Sequence, residues 1–359
     1  MAASRGARER TLDRVYINDA VAKMKDRDKD IRWMICDDLL TVVADHEPGS
    51  LTMTKELEEK LMGGLRALYS DRAAEVAQKA ALLSASLVPH LLPSSVSTLL
   101  QSIGDIVAKE AEADKREIAV LGLREMPENL PDEGVMTLLE VVLPQASAAI
   151  DGKSPTDPKG FAWICDAVGV TTVVLTRYGG QVSEEQLERL QVSLTGCCTR
   201  LPSRYEARRP VLECLATLAA CVSRSQFDVL VRRHIESLAD PSSDGFRYSL
   251  QIVSLICRTA GHRLGRFVPE LVPRFLKALA TRGADMDTDL REFCLQGLAE
   301  VVRARAGNVD AHMEEIIASG SEFAAFDPNY TGMSLSMSGD AVEGGEETTA
   351  AVGFGDEDG

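Results

Sequence analysis

The sequence predicts an all-α solenoid built from stacked helix pairs. Apolar residues recur almost everywhere at helical rather than strand spacing, the helical segments come in pairs, and the pairs repeat at a near-constant interval. Leu271, Phe275, Leu276 and Leu279, followed by Leu290, Phe293, Leu298 and Val301, illustrate the spacing. Within each pair a short polar turn, often carrying Asp, leads into a second helix that opens with an apolar or small residue beside Arg or another polar residue. This signature occurs at Asp28-Lys29-Asp30-Ile31-Arg32, Asp71 to Gln78, Asp114-Lys115-Arg116, Arg204 to Arg208, Asp244-Gly245-Phe246-Arg247 and Asp287 to Arg291.

From Arg32 to Arg291, with one degenerate unit near Trp163, the mean period is about 43 residues, within the roughly 40–47 of HEAT and armadillo units. One helix pair cannot bury its apolar face, so neighbours must stack. The expected pairs are 16–25 with 28–45, 54–69 with 72–88, 93–109 with 113–127, and 132–149 with 158–178. They continue with 184–199 and 204–222, 226–238 and 243–260, and 266–281 and 287–305. Helix punctuation agrees: Pro131-Asp132 precedes one start, Ser183 with Gln186 forms a capping box, and Gly179-Gly180 follows a helix.

The fourth pair is the weakest. Its linker, Gly152 to Pro158, is loop chemistry, and the β-branched cluster from Val168 to Val174 reads as strand on propensity alone. An eighth unit begins at Asn308 to Phe326 without a second helix. The organisation expected is a flexible segment over 1–15, a HEAT-repeat solenoid of about seven pairs plus an unpaired helix over 16–326, and a disordered acidic tail over 327–359.

Charge is distributed unevenly. The 359 residues hold 39 Lys and Arg against 55 Asp and Glu, a formal charge of −16. Twelve of the acids, and no Lys or Arg, lie between Ala306 and Gly359, so the body of the chain carries 43 acids against 39 bases. A near-neutral body argues against a nucleic-acid binder, which needs phosphate-neutralising excess, and 5% aromatic residues argues against base-stacking platforms. Apolar runs are interrupted well before 18 residues, and Met1 to Arg14 lacks an apolar signal core, so neither a membrane span nor a secretory signal is expected. The expected location is the cytoplasm and nucleus.

No enzymatic centre, cofactor or metal site is expected. The eight cysteines sit inside apolar helical patterns without a CxxC pair, and the five histidines are far apart. Gly152-Lys153-Ser154 matches the end of a phosphate-binding loop, but Ser147 stands where the required earlier glycine belongs. Gly261 to Gly265 has only two glycines and joins two helices. Asn329-Tyr330-Thr331 fits a glycosylation sequon without a secretory context.

Interaction residues are the remaining candidates. A turn Asp can cap the second helix and also meet the Arg of a neighbouring unit, forming a ladder along one edge. Arg32, Arg208, Arg247 and Arg291 suit that ladder. Together with Arg116 and Arg263 they are also the candidates for contacting a partner. Residues 200–305 carry seventeen bases and twelve acids, which suits either a solvated surface or a basic concave strip facing an acidic protein. At the other end, Met313, Ile316, Ile317 and Phe323 have no following repeat to pack on and mark a candidate junction with another polypeptide.

These residues resemble a known family, the amino-terminal region of the cullin-associated, neddylation-dissociated proteins, HEAT-repeat regulators of cullin–RING ubiquitin ligases. The resemblance rests on Asp28 to Met34 with Asp38-Leu39, Leu121-Gly122-Leu123-Arg124 with Leu130-Pro131, Ala260-Gly261-His262-Arg263-Leu264-Gly265, Asp289 to Cys294, and Phe326-Asp327-Pro328-Asn329-Tyr330. It covers about residues 16–330 in order. It implies a partner: unneddylated cullin with its RING-box protein, gripped at the cullin carboxy-terminal region. In the family an acidic insertion follows the Asp-Pro-Asn-Tyr motif and the repeats then resume with the elements that displace the substrate-receptor adaptor. Those elements would have to come from a separate carboxy-terminal HEAT-repeat polypeptide, as in fungi with a split regulator, unless the chain is truncated in that loop. The alternatives are a HEAT scaffold of another type, such as a phosphatase scaffold or nuclear transport receptor, and, less favoured, an enzyme.

Overall fold

The computed structural model describes residues 14–324 apart from 48, 52, 127–129, 202–204, 241–243 and 281–287. These residues form helices and turns, with no strand among them. The first pair is α1 (Arg14–Lys23) and α2 (Lys29–Ala44), the second α3 (Lys55–Leu68) and α4 (Ala74–Leu87), the third α5 (Pro93–Lys109) and α6 (Ala113–Glu125). In the fourth, α7 (Asp132–Thr137) continues through a π-helical stretch into α8 (Leu143–Gly152) and pairs with α9 (Pro158–Tyr178). Then come α10 (Glu184–Arg200) with α11 (Tyr205–Cys221), α12 (Arg224–Ser237) with α13 (Asp244–Ala260), and α14 (Val268–Ala280) with α15 (Thr288–Arg303). A 3-10 turn at Val309–His312 leads into α16 (Met313–Ala324).

The helix starts follow local chemistry. Asp28 caps α2 by accepting from Asp30 N–H, Asp157 caps α9 by accepting from Gly160 N–H, and Ser183 and Gln186 make the reciprocal capping box on α10. The helices then bury one continuous core from Ile17 to Val309 rather than separate domain cores. Second helices pack directly on second helices, α2 on α4, α4 on α6, α6 on α9, α9 on α11, α11 on α13 and α13 on α15. Each repeat thus touches chiefly its neighbours, the quasi-one-dimensional arrangement of a solenoid.

The fourth repeat forms in full, in helical form. Val168, Val170, Thr171 and Val174 are buried on α9, where packing between α6 and α11 outweighs β propensity. This repeat also holds the two most apolar long helices, 132–152 and 158–181, each long and apolar enough by composition alone to cross a membrane. Their apolar faces are instead taken up by neighbouring repeats, including α5 and α10 on α8, and α6 and α11 on α9.

Pro144 explains the π-helical stretch at Leu138–Val142. A proline cannot donate to the carbonyl four residues back, so the helix widens by one residue before it. Leu143 N–H then bonds Leu138, and the freed Leu139 carbonyl accepts from Gln186 Nε2 of the next repeat at 2.7 Å. Gln186 therefore caps its own helix and ties it to the preceding repeat.

The proposed flexible segment, the acidic tail and the motif Phe326 to Tyr330 lie outside the described residues, apart from Arg14 and Val15 at the start of α1.

Candidate functional site

The second helices present one face to solvent, and a groove of about 680 Å³ runs across four of them. Its lining includes Gln78 on α4, Glu117, Leu121 and Arg124 on α6, Asp166, Gly169 and Thr172 on α9, and Arg209 and Glu213 on α11. The groove is thus a concavity shared by four consecutive second helices. Its charges are mixed. Arg209 Nε lies 3.1 Å from Glu213, Arg258 of the next repeat lies 3.7 Å from the same carboxylate, and Asp166 is occupied by Arg116. Such a surface offers paired charges and small apolar patches to another protein, and lacks the uniform positive field that a polyanion needs.

The arginine excess of residues 200–305 is not gathered on this face. Arg232, Arg233 and Arg274 lie on the first helices α12 and α14, and Arg263 and Arg266 on the connection between repeats. On the second helices of that region Arg303 pairs with Glu300 and Arg209 and Arg258 share Glu213, while Arg208, Arg247 and Arg291 are half-buried.

Arg32 spans two repeats. Its Nε and Nη2 donate to the two oxygens of Asp71, in the turn before α4, at 2.6 and 2.8 Å, and Nη1 donates to the Asp26 and Arg27 carbonyls. Asp71 accepts from Ala73 N–H as well. Although burial works to raise the Asp71 pKa, these donors hold it below the usual carboxylate range. Lys29–Glu75 and Lys79–Asp37 repeat the link at 2.8 and 2.7 Å.

Arg116 is 1% exposed, with Nε on Asp166 at 2.8 Å and Nη1 on the Glu110 and Ala111 carbonyls. A guanidinium so placed has no surface left for a partner, which corrects the expectation that it contacts one. Trp163 lies against it, 4.4 Å from the guanidinium carbon to the ring centroid, with Lys153 Nζ 3.5 Å from the same ring and the indole N–H on the Val107 carbonyl. Lys153, the lysine of the loop-like Gly152-Lys153-Ser154, is thus engaged in a cation–π contact.

Arg263 is likewise turned inward. Its Nη1 and Nη2 donate to the carbonyls of Ala219, Ala220, Val222 and Ser223, closing the carboxy-terminal end of α11, and its guanidinium sits 4.2 Å from the Phe227 ring. Arg177, which sequence reasoning missed, does the same two repeats earlier by donating to the carbonyls of Leu123, Arg124 and Met126. The available signal was its position, near the end of a second helix as Arg263 is. Glu58 was also missed. It is 1% exposed and accepts from Leu92 N–H and Ser95 Oγ, so the second repeat caps α5 of the third.

Arg208 donates to the Leu201 carbonyl and lies 6.0 Å from the Tyr248 ring. Arg247, half-buried on α13, is engaged in the fold, and Arg291 is half-buried on α15. The acidic turns expected to face these three fall largely outside the described residues. At the terminal helix, Met313 and Ile316 pack partly onto the existing core and Ile317 is 60% exposed, while the Phe323 side chain lies outside the described residues.

No group of three or more His, Cys, Asp or Glu placed to hold a metal occurs among the described residues. Burial is the main cause that raises the Cys36, Cys198, Cys214 and Cys294 thiols to about 12. These are core side chains rather than nucleophiles.

No family model matches the chain. Its sequence is 26% identical over 326 residues to Cullin-associated NEDD8-dissociated protein 1 of Dictyostelium discoideum, covering 88% of this chain and 25% of that protein. It is 27% identical over 330 residues to Cullin-associated NEDD8-dissociated protein 2 of Mus musculus, with the same two coverages. It therefore spans about a quarter of these relatives. A third relative, Cullin-associated NEDD8-dissociated protein 1, N-terminal part, of Emericella nidulans, is 21% identical over 300 residues, covering 77% of this chain and 88% of that polypeptide. In fold the chain is similar to importin beta, with a TM-score of 0.60 at 12% identity over 88% of this chain and 40% of that one. It is also similar to Kap121p bound to Pho4p, with a TM-score of 0.55 at 15% identity over 85% of this chain and 31% of that one. These likenesses place it among HEAT-repeat solenoids. Over 88% of its length this chain has homologues among the cullin-associated NEDD8-dissociated proteins, and one further relative is itself an N-terminal part.

Proposed function

We propose that the chain is a non-enzymatic regulator of cullin–RING ubiquitin ligases, acting in the cytoplasm and nucleus. It grips the carboxy-terminal region of an unneddylated cullin together with the RING-box subunit. With a separate carboxy-terminal HEAT-repeat polypeptide it promotes exchange of substrate receptors. The observation that carries this reading is the sequence similarity to the relatives named for cullin association, which runs through 88% of the chain. The Emericella nidulans polypeptide, itself an N-terminal part, is of matching extent and supports the two-polypeptide form.

The geometry supports the same reading. A concave face with mixed, mutually paired charges suits a protein ligand, and Ile317 on α16 supplies an exposed apolar residue where a further repeat would stack. Likeness to importin beta at 12% identity speaks for the fold alone and does not favour a transport role.

Co-purification tests the reading. The chain is expected to retain an unneddylated cullin–RING-box complex, more tightly when a carboxy-terminal polypeptide is present, and to lose it when the cullin is neddylated. Absence of binding under both conditions, or equal binding to the neddylated complex, overturns it.

A further inference from the structure

A second groove, of about 450 Å³, lies along the edge where the repeats connect. It is lined by Arg224 and Phe227 at the start of α12, by His262, Arg263 and Arg266 between α13 and α14, and by the backbone of Gly265 and Gly307. Three arginines and a histidine thus converge from two inter-repeat connections. Asp228 offsets one of them by pairing with Arg266. Arg263 is held by four carbonyls, yet its charge remains at the wall of the groove. Arg224 and His262 are exposed and have no hydrogen bond or ion pair among the described residues. Arg224 also stands at the first helical position of α12, where the positive pole of the helix adds to its charge, and no acid lies in that first turn.

We propose that this groove is the docking site for the acidic carboxy-terminal segment of the same chain, residues 340–358. Between Asp340 and Asp358 lie seven acids, Asp340, Glu343, Glu346, Glu347, Asp356, Glu357 and Asp358, with no Lys or Arg. Charge complementarity therefore selects this segment over any other stretch of the chain as the occupant. Phe354 is the aromatic residue among these acids.

Chain length allows it. Gly307, in the groove wall, is followed within a few residues by α16, whose twelve residues carry the chain about 18 Å away. Fifteen residues lie between Ala324 and Asp340. Their greatest reach is about 50 Å, so the return path is well within range. Because the two partners are covalently joined, docking needs only modest intrinsic affinity. The consequence is regulatory: the segment shields the basic edge from other acidic proteins until it is displaced. This inference does not depend on the cullin reading.

The test uses the full chain with the photo-crosslinking residue benzoylphenylalanine in place of Phe354. Crosslinks are expected within one molecule, to the peptides containing Arg224–Phe227 and His262–Arg266. Arg224→Glu combined with His262→Glu, both at exposed positions, should cut that yield by at least about fivefold, as should 0.5 M salt. Arg189→Glu, on the exposed surface of α10, should leave it unchanged, and circular dichroism melting should show all three proteins equally folded. Crosslinks spread over the array, crosslinks between two chains that vanish on dilution, or a yield indifferent to both Arg224→Glu and salt would overturn the proposal.

Discussion

Arg116 Nε donates to Asp166 at 2.8 Å across the boundary between the third and fourth repeats, with the arginine side chain 1% exposed. The pair joins α6 to α9 at the point where the repeat spacing is stretched by the Gly152 to Pro158 linker. Removing one charge leaves the other buried and unmatched, whereas replacing both with apolar groups avoids that penalty. Asp166→Ala is therefore expected to cost about 3 kcal/mol, and Arg116→Met with Asp166→Leu less than the single change. A repeat array can open locally, so hydrogen exchange is the suitable measurement. Protection should fall in α6 and α9 and stay constant in α13 and α15. Uniform loss along the chain would contradict the local role.

His234 makes stability depend on pH. It is 6% exposed, hydrogen-bonded through Nδ1 to Ser249 Oγ at 3.1 Å, and burial, aided by Arg233, lowers its pKa to about 4. The unfolded imidazole takes a proton near pH 6.5, and the folded one resists until about pH 4. Stability should thus be complete above about pH 6.5 and decline as pH falls toward 4, by at most about 3 kcal/mol. Thermal melting between pH 7.5 and 4.5 checks this, and His234→Gln should flatten the slope. Asp71 acts lower on the scale. Its depressed pKa contributes stability above the ordinary carboxylate range that is lost as pH drops through its folded value.

Thiol reactivity follows from the same burial. Cys36, Cys198, Cys214 and Cys294, at about 12, hold negligible thiolate at neutral pH. Cys165 borders the concave groove and is partly exposed, but burial and Asp166 raise it to about 11. Native protein should therefore react with iodoacetamide on the timescale of unfolding, with the partly exposed Cys165 and Cys221 leading, and all eight should react at once in denaturant. Rapid native labelling of any of the four buried thiols would show that its helix opens readily.

The helix pairs were legible because 3.6-residue periodicity and the Asp-containing turns report burial directly. Val168 to Val174 reads as helix only once α6 and α11 flank it, a tertiary fact that local propensity does not contain. The arginines divide on the same ground. Arg32 sits beside a turn whose Asp lies one period on, so its ladder contact with Asp71 was foreseeable. Arg177 and Arg263 find backbone carbonyls, which leave no mark in a sequence. The motif Ala260 to Gly265 carried much of the family likeness, and its chemistry is architectural. Gly261 meets Ala304, Arg263 closes α11, Leu264 is fully buried, and the Gly265 carbonyl accepts from Asn308 Nδ2.

Gly265 supports the last prediction. A Cβ built there would lie 2.9 Å from Gly307 N and 3.1 Å from its Cα, both backbone atoms of the next inter-repeat connection. Backbone cannot swing aside as a flexible side chain does, so Gly265→Ala must push the two connections apart. The displacement would loosen the Asn308–Gly265 hydrogen bond and the seating of α16. A loss of about 1–3 kcal/mol is expected, seen as earlier melting and reduced exchange protection in α14 and α16. Gly196 provides the opposite case. It lies inside α10, and a Cβ there meets nothing within 4 Å. Gly196→Ala removes the conformational cost of a mid-helix glycine without a clash, and should stabilise the chain by about 0.5–1 kcal/mol. The two Gly→Ala changes are chemically identical, so opposite shifts in melting temperature isolate the inter-repeat backbone contact as the cause. Equal shifts would show that helix propensity alone decides both.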